Sequence, residues 1–329
     1  MRHLLLISLL LAACSTKPKE VKTTGSIERT DPALDEIIAT DASIEILAEG
    51  YTWSEGPVWV EKENMLLFSD VPENIVYKWT EEKGAEIFLT PSGYTGTSSR
   101  EGEEGSNGLT LNNEGQLVLC QHGDRRVALL NSDYKNPKPD FKTLAGDYNG
   151  KKFNSPNDVV FDKQGNFYFT DPPYGLVNQM TDSTKEIPFQ GVYKVKPDGT
   201  VILLVDSLTR PNGIGLSPDD KTLYVANSDA PKAKWYSFEL QGDSIASGKI
   251  FYSTDYVEGE KGAPDGLKVS SNGTIFSTGP GGIWIFDPSA KVLGKIKLQE
   301  SAANCALSAD EKTLYITNDM YLLRVKMRK

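Results

Sequence analysis

The chain has 329 residues, of which 24% are charged and 39% hydrophobic, and it carries a net charge of -10. This is the composition of a soluble globule with a large core. The acidic balance excludes nucleic acid and anionic lipid surfaces as partners and suits a bound cation.

The first residues read as an address. Arg2 and His3 give a basic start, residues 4–11 form an apolar run, and Leu11-Ala12-Ala13-Cys14 follows. That order is a secretory signal, and the run is too short to span a bilayer. Its ending resembles a bacterial lipoprotein box. The resemblance implies that residues 1–13 are cleaved and that the Cys14 thiol is lipidated. The protein would then sit in the cell envelope, facing the periplasm or in the outer membrane, touching the membrane only through its anchor. A plain signal with an accidental cysteine is the alternative. Residues 14–42 are polar, contain Pro18, and read as the lipidated cysteine and a flexible tether.

Residues 43–329 repeat one sentence. A polar corner leads into a short apolar strand, a turn and a second strand. The corners are headed by Glu55, Asn107, Asn157, Asn212, Asp265 and Asn304, spaced 52, 50, 55, 53 and 39 residues apart. Such a period, with several strands per unit, is the signature of a β-propeller. The expected fold is therefore all-β, a six-bladed propeller. Turn compositions such as Asn112-Asn113-Glu114-Gly115 and Asp162-Lys163-Gln164-Gly165 separate the first and second strands. The sixth unit runs out after three strands, and a lone strand at residues 43–48 precedes the first. Placed together, they close the ring and leave no open edge. Cys120 and Cys305 fall in units that are not neighbours, so both are expected as buried free thiols.

In a propeller, the residue before each innermost strand sits at one mouth of the central channel. The second strand returns to the same mouth. Two rings follow: the six heads, and Asp70, Gln121, Asp171, Asn227, Thr278 and Asn318. Every head offers a carboxylate or amide oxygen. The alternative is turn chemistry, because Asn-Gly and Asp-Gly recur wherever a chain bends into a strand. Glu55 is a poor turn residue and Asn157 precedes Asp158, which a turn does not explain.

The motifs Glu55-Gly56-Pro57-Val58-Trp59, Asn154-Ser155-Pro156-Asn157-Asp158, Asp171-Pro172-Pro173-Tyr174-Gly175, Arg210-Pro211-Asn212-Gly213 and Pro264-Asp265-Gly266 resemble the SMP-30/gluconolactonase family, in order along the chain. The resemblance implies a divalent ion held by Glu55, Asn157, Asn212 and Asp265, commonly calcium, with magnesium, manganese or zinc as alternatives. It implies hydrolysis of a lactone, with a small sugar-derived substrate. Some members carry an Arg two residues before the position of Asn157. Here that residue is Ser155, and nearby Lys152 is a substitute for holding substrate. An all-oxygen shell agrees with a hard cation.

Asp171 and Asp265 are the candidate bases, Asp171 being favoured because it is not a ligand. His122 is a third catalytic candidate, with a structural role in its turn as the alternative. Asn107 and Asn157 are expected to face substrate, and Trp53 to stack on a sugar ring. The other tryptophans are expected in blade packing. The expectation is a monomeric lactonase; its rivals are a carbohydrate- or partner-binding propeller without turnover, or another hydrolase or lyase on a carbohydrate-derived substrate.

Overall fold

The computed structural model describes residues 21–229 and 232–328. The proposed signal segment and Cys14 lie outside these residues. Six antiparallel sheets stand around one axis. Their innermost strands are Ser54–Val60, Ser106–Leu111, Val159–Phe161, Pro211–Leu216, Leu267–Val269 and Ala302–Leu307, for blades 1 to 6. Each packs on the next, and the sixth packs on the first, so the ring is closed.

The core explains why the strands are apolar on both faces. There are six hydrophobic clusters, one at each junction between neighbouring blades. Side chains alternate across a strand. In blade 1, Leu66 and Phe68 therefore pack against blade 6, while Leu67 packs against blade 2. In blade 2, Leu117 and Leu119 face blade 1, and Val118 and Cys120 face blade 3. Cys120 and Cys305 are free and buried, in the junctions between blades 2 and 3 and blades 5 and 6. Trp59 stacks on Tyr315 at 5.4 Å, and Trp235 and Trp284 lie 5.7 Å apart in the blade 4–5 junction.

Blade 6 closes as the strand count requires. Ile44–Glu49 pairs with Tyr321–Lys326, Glu49 opposite Tyr321 and Ile44 opposite Val325. The tether expected over residues 14–42 is corrected from Thr23 onward. Thr23–Thr24 adds a fifth strand to blade 6, and Ser26–Arg29 adds a fifth to blade 5 beside Val292–Lys297. Between them and the closing strand, Pro32–Glu36 forms a 3-10 turn capped by Asp31. Leu34 and Ile38 are fully buried against blades 5 and 6. The Arg29 guanidinium bonds the Asp35 carboxylate and the carbonyls of Ile38 and Ala39. The segment thus covers two outer strand edges with its backbone and fills a gap with two apolar side chains.

Candidate active site and cation centre

The heads converge because of how the blades are knitted. Gly108 N donates to Asn157 O at 2.7 Å, Gly213 N to Asp265 O at 3.0 Å and Gly266 N to Ala303 O at 2.7 Å. The glycine after each of these heads therefore touches the head region of the next blade. A Cβ on Gly213 would stand 2.1 Å from Asp265 O, and one on Gly56 2.1 Å from Asn107 O. Close approach of neighbouring backbones accounts for the repeated glycine. The pairing register also slips at the heads of blades 1, 2, 4 and 6. Such bulges re-aim a side chain at a strand end.

The result is a cavity of about 280 Å³ at the channel mouth, lined by Glu55, Asn107, Asn157, Asn212 and Asp265. Trp53, Glu103, Tyr174 and Ser228 complete the walls that matter chemically. A larger groove, about 640 Å³, lies outside the ring along Ile46–Glu49 and Thr80–Gly84. It contains no head, and Arg324 beside it is paired with Glu45 and Glu81.

At the mouth, neither Glu55 nor Asp265 forms a salt bridge among the described residues, and Lys268 offsets only part of the cost of Glu55's charge. Burial pushes the Glu55 carboxyl up to about 8, and Asp158 adds repulsion. Burial, then repulsion from Glu55 and Asp158, holds the Asp265 carboxyl well above the carboxylate range. Glu55 Oε2 accepts from Gly56 N at 2.5 Å and from Asn304 Nδ2 at 3.2 Å. The buried Oδ1 atoms of Asn107 and Asn212 have no hydrogen-bond partner. Buried oxygens without donors are costly. Two carboxylates and unpartnered amide oxygens together fit a hard divalent cation. Among the described residues, no group of three or more His, Cys, Asp or Glu assembles as a metal site; the donor set here leans on amides.

The family model described as the SMP-30/Gluconolactonase/LRE-like region matches residues 53–319. The chain belongs to this family. The gluconolactonase of Zymomonas mobilis is 37% identical over 314 residues, covering 93% of this chain and 87% of that one. The structure of XC5397 from Xanthomonas campestris, a gluconolactonase, has a TM-score of 0.82 at 28% identity, covering 95% of this chain and 99% of that one. Regucalcin from Agrobacterium tumefaciens, a calcium-binding protein, shares the fold, with a TM-score of 0.64 at 15% identity over 86% of this chain and 94% of that one.

Within this SMP-30/gluconolactonase-family chain, the four ligand candidates, Asn107 and Trp53 all reach the cavity. Three expectations are corrected. Asp171 does not line the cavity: its oxygens accept from Asn154 N and Ser155 N, both at 2.8 Å, and it is fully buried. Asp70 does the same for Thr52 N and Trp53 N, and Asn227 for Arg210 N. This part of the return ring fastens the loops that carry the heads. Lys152 is exposed on a two-residue ladder with Asp147, and its backbone N–H binds Glu186. Ser155 is occupied, bonding Pro172 O and Gly175 N. His122 does not line the cavity either; it is fully buried behind it.

Glu103, Tyr174 and Ser228 were missed by the sequence reading. Tyr174 is pushed up to about 12 by burial and then by Asp265, against a hydrogen bond with Ser228. Arg210 lies 5.6 Å over the Tyr174 ring. Glu103 and Tyr174 come from insertions without periodicity. Ser228, one residue past the return ring, accepts from Asn212 Nδ2 at 2.9 Å and so orients that amide.

Proposed function

We infer that this chain is a lactonase that opens a sugar-derived lactone of the gluconolactone kind at the channel mouth. One observation carries the reading: buried Glu55 and half-buried Asp265, neither in a salt bridge among the described residues, share a cavity with unpartnered amide oxygens. The similarity to gluconolactonases over nearly the whole chain supports it. Glu55, Asn157, Asn212 and Asp265 would hold a divalent cation, for which calcium suits the oxygen-only donors. A cation bound there would supply Lewis-acid polarisation of the lactone carbonyl.

The chain's own residues do the rest. Asp265, which lines the cavity, is placed to take a proton from the attacking water. Asn107 lines the cavity beside the proposed ligands, with its buried Oδ1 unpartnered. Trp53 offers an aromatic wall on which a sugar ring can lie. Ser228 keeps Asn212 turned so that its oxygen, not its nitrogen, is free.

The test is a panel of lactones given to chelator-stripped protein, with calcium, magnesium, manganese or zinc added back. Ring opening that returns best with calcium supports the reading; full activity in the stripped protein overturns it. Lipidation at Cys14 and an envelope location, periplasm-facing or in the outer membrane, belong to the same proposal, supported by the sequence at residues 2–14; a monomeric state is proposed with them. Cys14→Ser should release the protein from the membrane fraction, and sizing in solution should give one chain.

A further inference from the structure

The insertion at residues 91–106 is fastened to the return corner of blade 2. His122 N donates to Gly105 O and Asp124 N to Gly93 O, both at 3.1 Å. Thr95 bonds the Asp124 carboxylate through its backbone N–H at 3.1 Å and its hydroxyl at 2.7 Å. The fit is close. A Cβ on Gly123 would stand 2.5 Å from Glu104 O, and one on Gly175 2.6 Å from His122 Cβ. Arg100 of the insertion also donates to Gly175 O. The His122 ring is enclosed between these segments.

That ring is 0% exposed, and neither nitrogen has a well-aligned hydrogen-bond partner. A fold rarely leaves both imidazole nitrogens buried without a task. Nδ1 lies 3.3 Å from Glu103 Oε2, and Glu103 lines the cavity. The Glu103 side chain keeps 36% of its exposure, whereas Glu55 keeps 1%. The difference separates a carboxylate open to exchange with solvent from one shut inside the ring of heads.

We propose that Glu103, positioned by His122, selects polyhydroxylated lactones by accepting hydrogen bonds from their ring hydroxyls. This rests on the lactonase reading. The Oε2 of Glu103 lies toward His122 while the residue lines the cavity, leaving Oε1 outside that contact. An ionised carboxylate only accepts, and sugar hydroxyls are donors. Trp53, which lines the same cavity, offers an aromatic face for the apolar side of the sugar ring. Glu103 comes from an insertion and not from a blade head, so it adds substrate choice without adding a cation ligand. His122 is a positioning residue: its buried ring stands against the Glu103 carboxylate, Nδ1 3.3 Å from Oε2, and this contact closes to a hydrogen bond when substrate excludes water.

The experiment compares δ-gluconolactone with unsubstituted δ-valerolactone on the full protein. Losing a charged hydrogen bond should raise the KM of Glu103→Ala for δ-gluconolactone about 10- to 100-fold. Its KM for δ-valerolactone, which has no hydroxyls to meet Glu103, should rise at least ~10-fold less; because the Glu103 charge also acts on Asp265, the readout is the ratio between the two lactones and not the absolute rate. His122→Phe should move KM for δ-gluconolactone the same way by a smaller factor, and His122→Gln, which keeps a donor, should recover part of it. Glu103 is partly exposed, so its variant reports even where His122→Phe fails to fold. Equal KM losses on both lactones, or no loss on either, in Glu103→Ala would overturn the proposal alone. Wild-type protein that opens neither lactone would overturn it together with the lactonase reading.

Discussion

Asp265 and Asp171 are aspartates at the same end of the ring, Asp171 fully buried and Asp265 half-buried, and in both desolvation raises the carboxyl above its usual range. They differ in what meets their oxygens. Asp171 receives two backbone N–H groups, with Arg125 and Lys185 adding favourable charge. Asp265 faces another carboxylate and the Asn212 amide. Desolvation and a raised pKa are therefore common to a fastener and a site. Unsatisfied oxygen atoms in a shared cavity distinguish the site.

The comparison breaks most easily at Asp265. Asp265→Ala removes half the carboxylate charge of the proposed ligand set together with the proposed base. A loss of about 10³-fold or more in kcat/KM is expected, equivalent to ~4 kcal/mol, with calcium binding abolished by titration. Native calcium affinity in this variant would show that the heads are not the cation centre.

Asp171 should behave oppositely. Asp171→Ala strands two buried N–H donors, at a cost of about 3 kcal/mol in denaturant unfolding, and the folded fraction should keep its turnover. The pH sign follows from the folded-state value of about 7, above the ordinary 3.8. Between those values the native state holds a proton that the unfolded chain has released. The Asp171 contribution is thus fully present below 3.8 and fades as pH rises through about 7. The stability of wild type relative to Asp171→Asn should fall from pH 4 to pH 7.5. Lost turnover in a stable Asp171→Asn would restore Asp171 as the base.

How far these roles could be read in advance depends on the range of the interaction. The six heads and the missing outer strand were legible, because each blade repeats its own local pattern. The glycines after the heads looked like turn residues, since their contacts belong to the next blade, about fifty positions away. Asp171 was placed at the correct mouth, but strand position does not say that the side chain bonds its own loop. Ser26–Arg29 has only Ile27 to mark it as a strand, so its place on blade 5 is set by an edge near residue 295. Glu103 sits in a run of Gly, Ser and Glu that has no period at all, and only the fold brings it to His122.

Asp158 supplies an intermediate case and the smallest expected effect. It stands where four other blades have glycine, it is 1% exposed, and its Oδ2 lies 3.5 Å from Lys268 Nζ. Lys268 also donates to Leu267 O at 3.0 Å and Asn304 Oδ1 at 3.4 Å, and Asn304 in turn bonds Glu55. Blades 3, 5 and 6 are thereby tied to blade 1 through the residue that heads it, Glu55. The Lys268 side chain keeps 27% of its exposure, so part of the attraction is screened. Lys268→Met should cost about 1–2 kcal/mol, mostly by leaving Asp158 buried and unpaired. Adding Asp158→Asn should recover most of that loss, because removing both charges spares the lone carboxylate its desolvation. Unfolding midpoints of the two singles and the double give the coupling directly. Additive losses would mean that the pair contributes packing alone, and that a paired carboxylate in the channel is no different from the fastened one at Asp171.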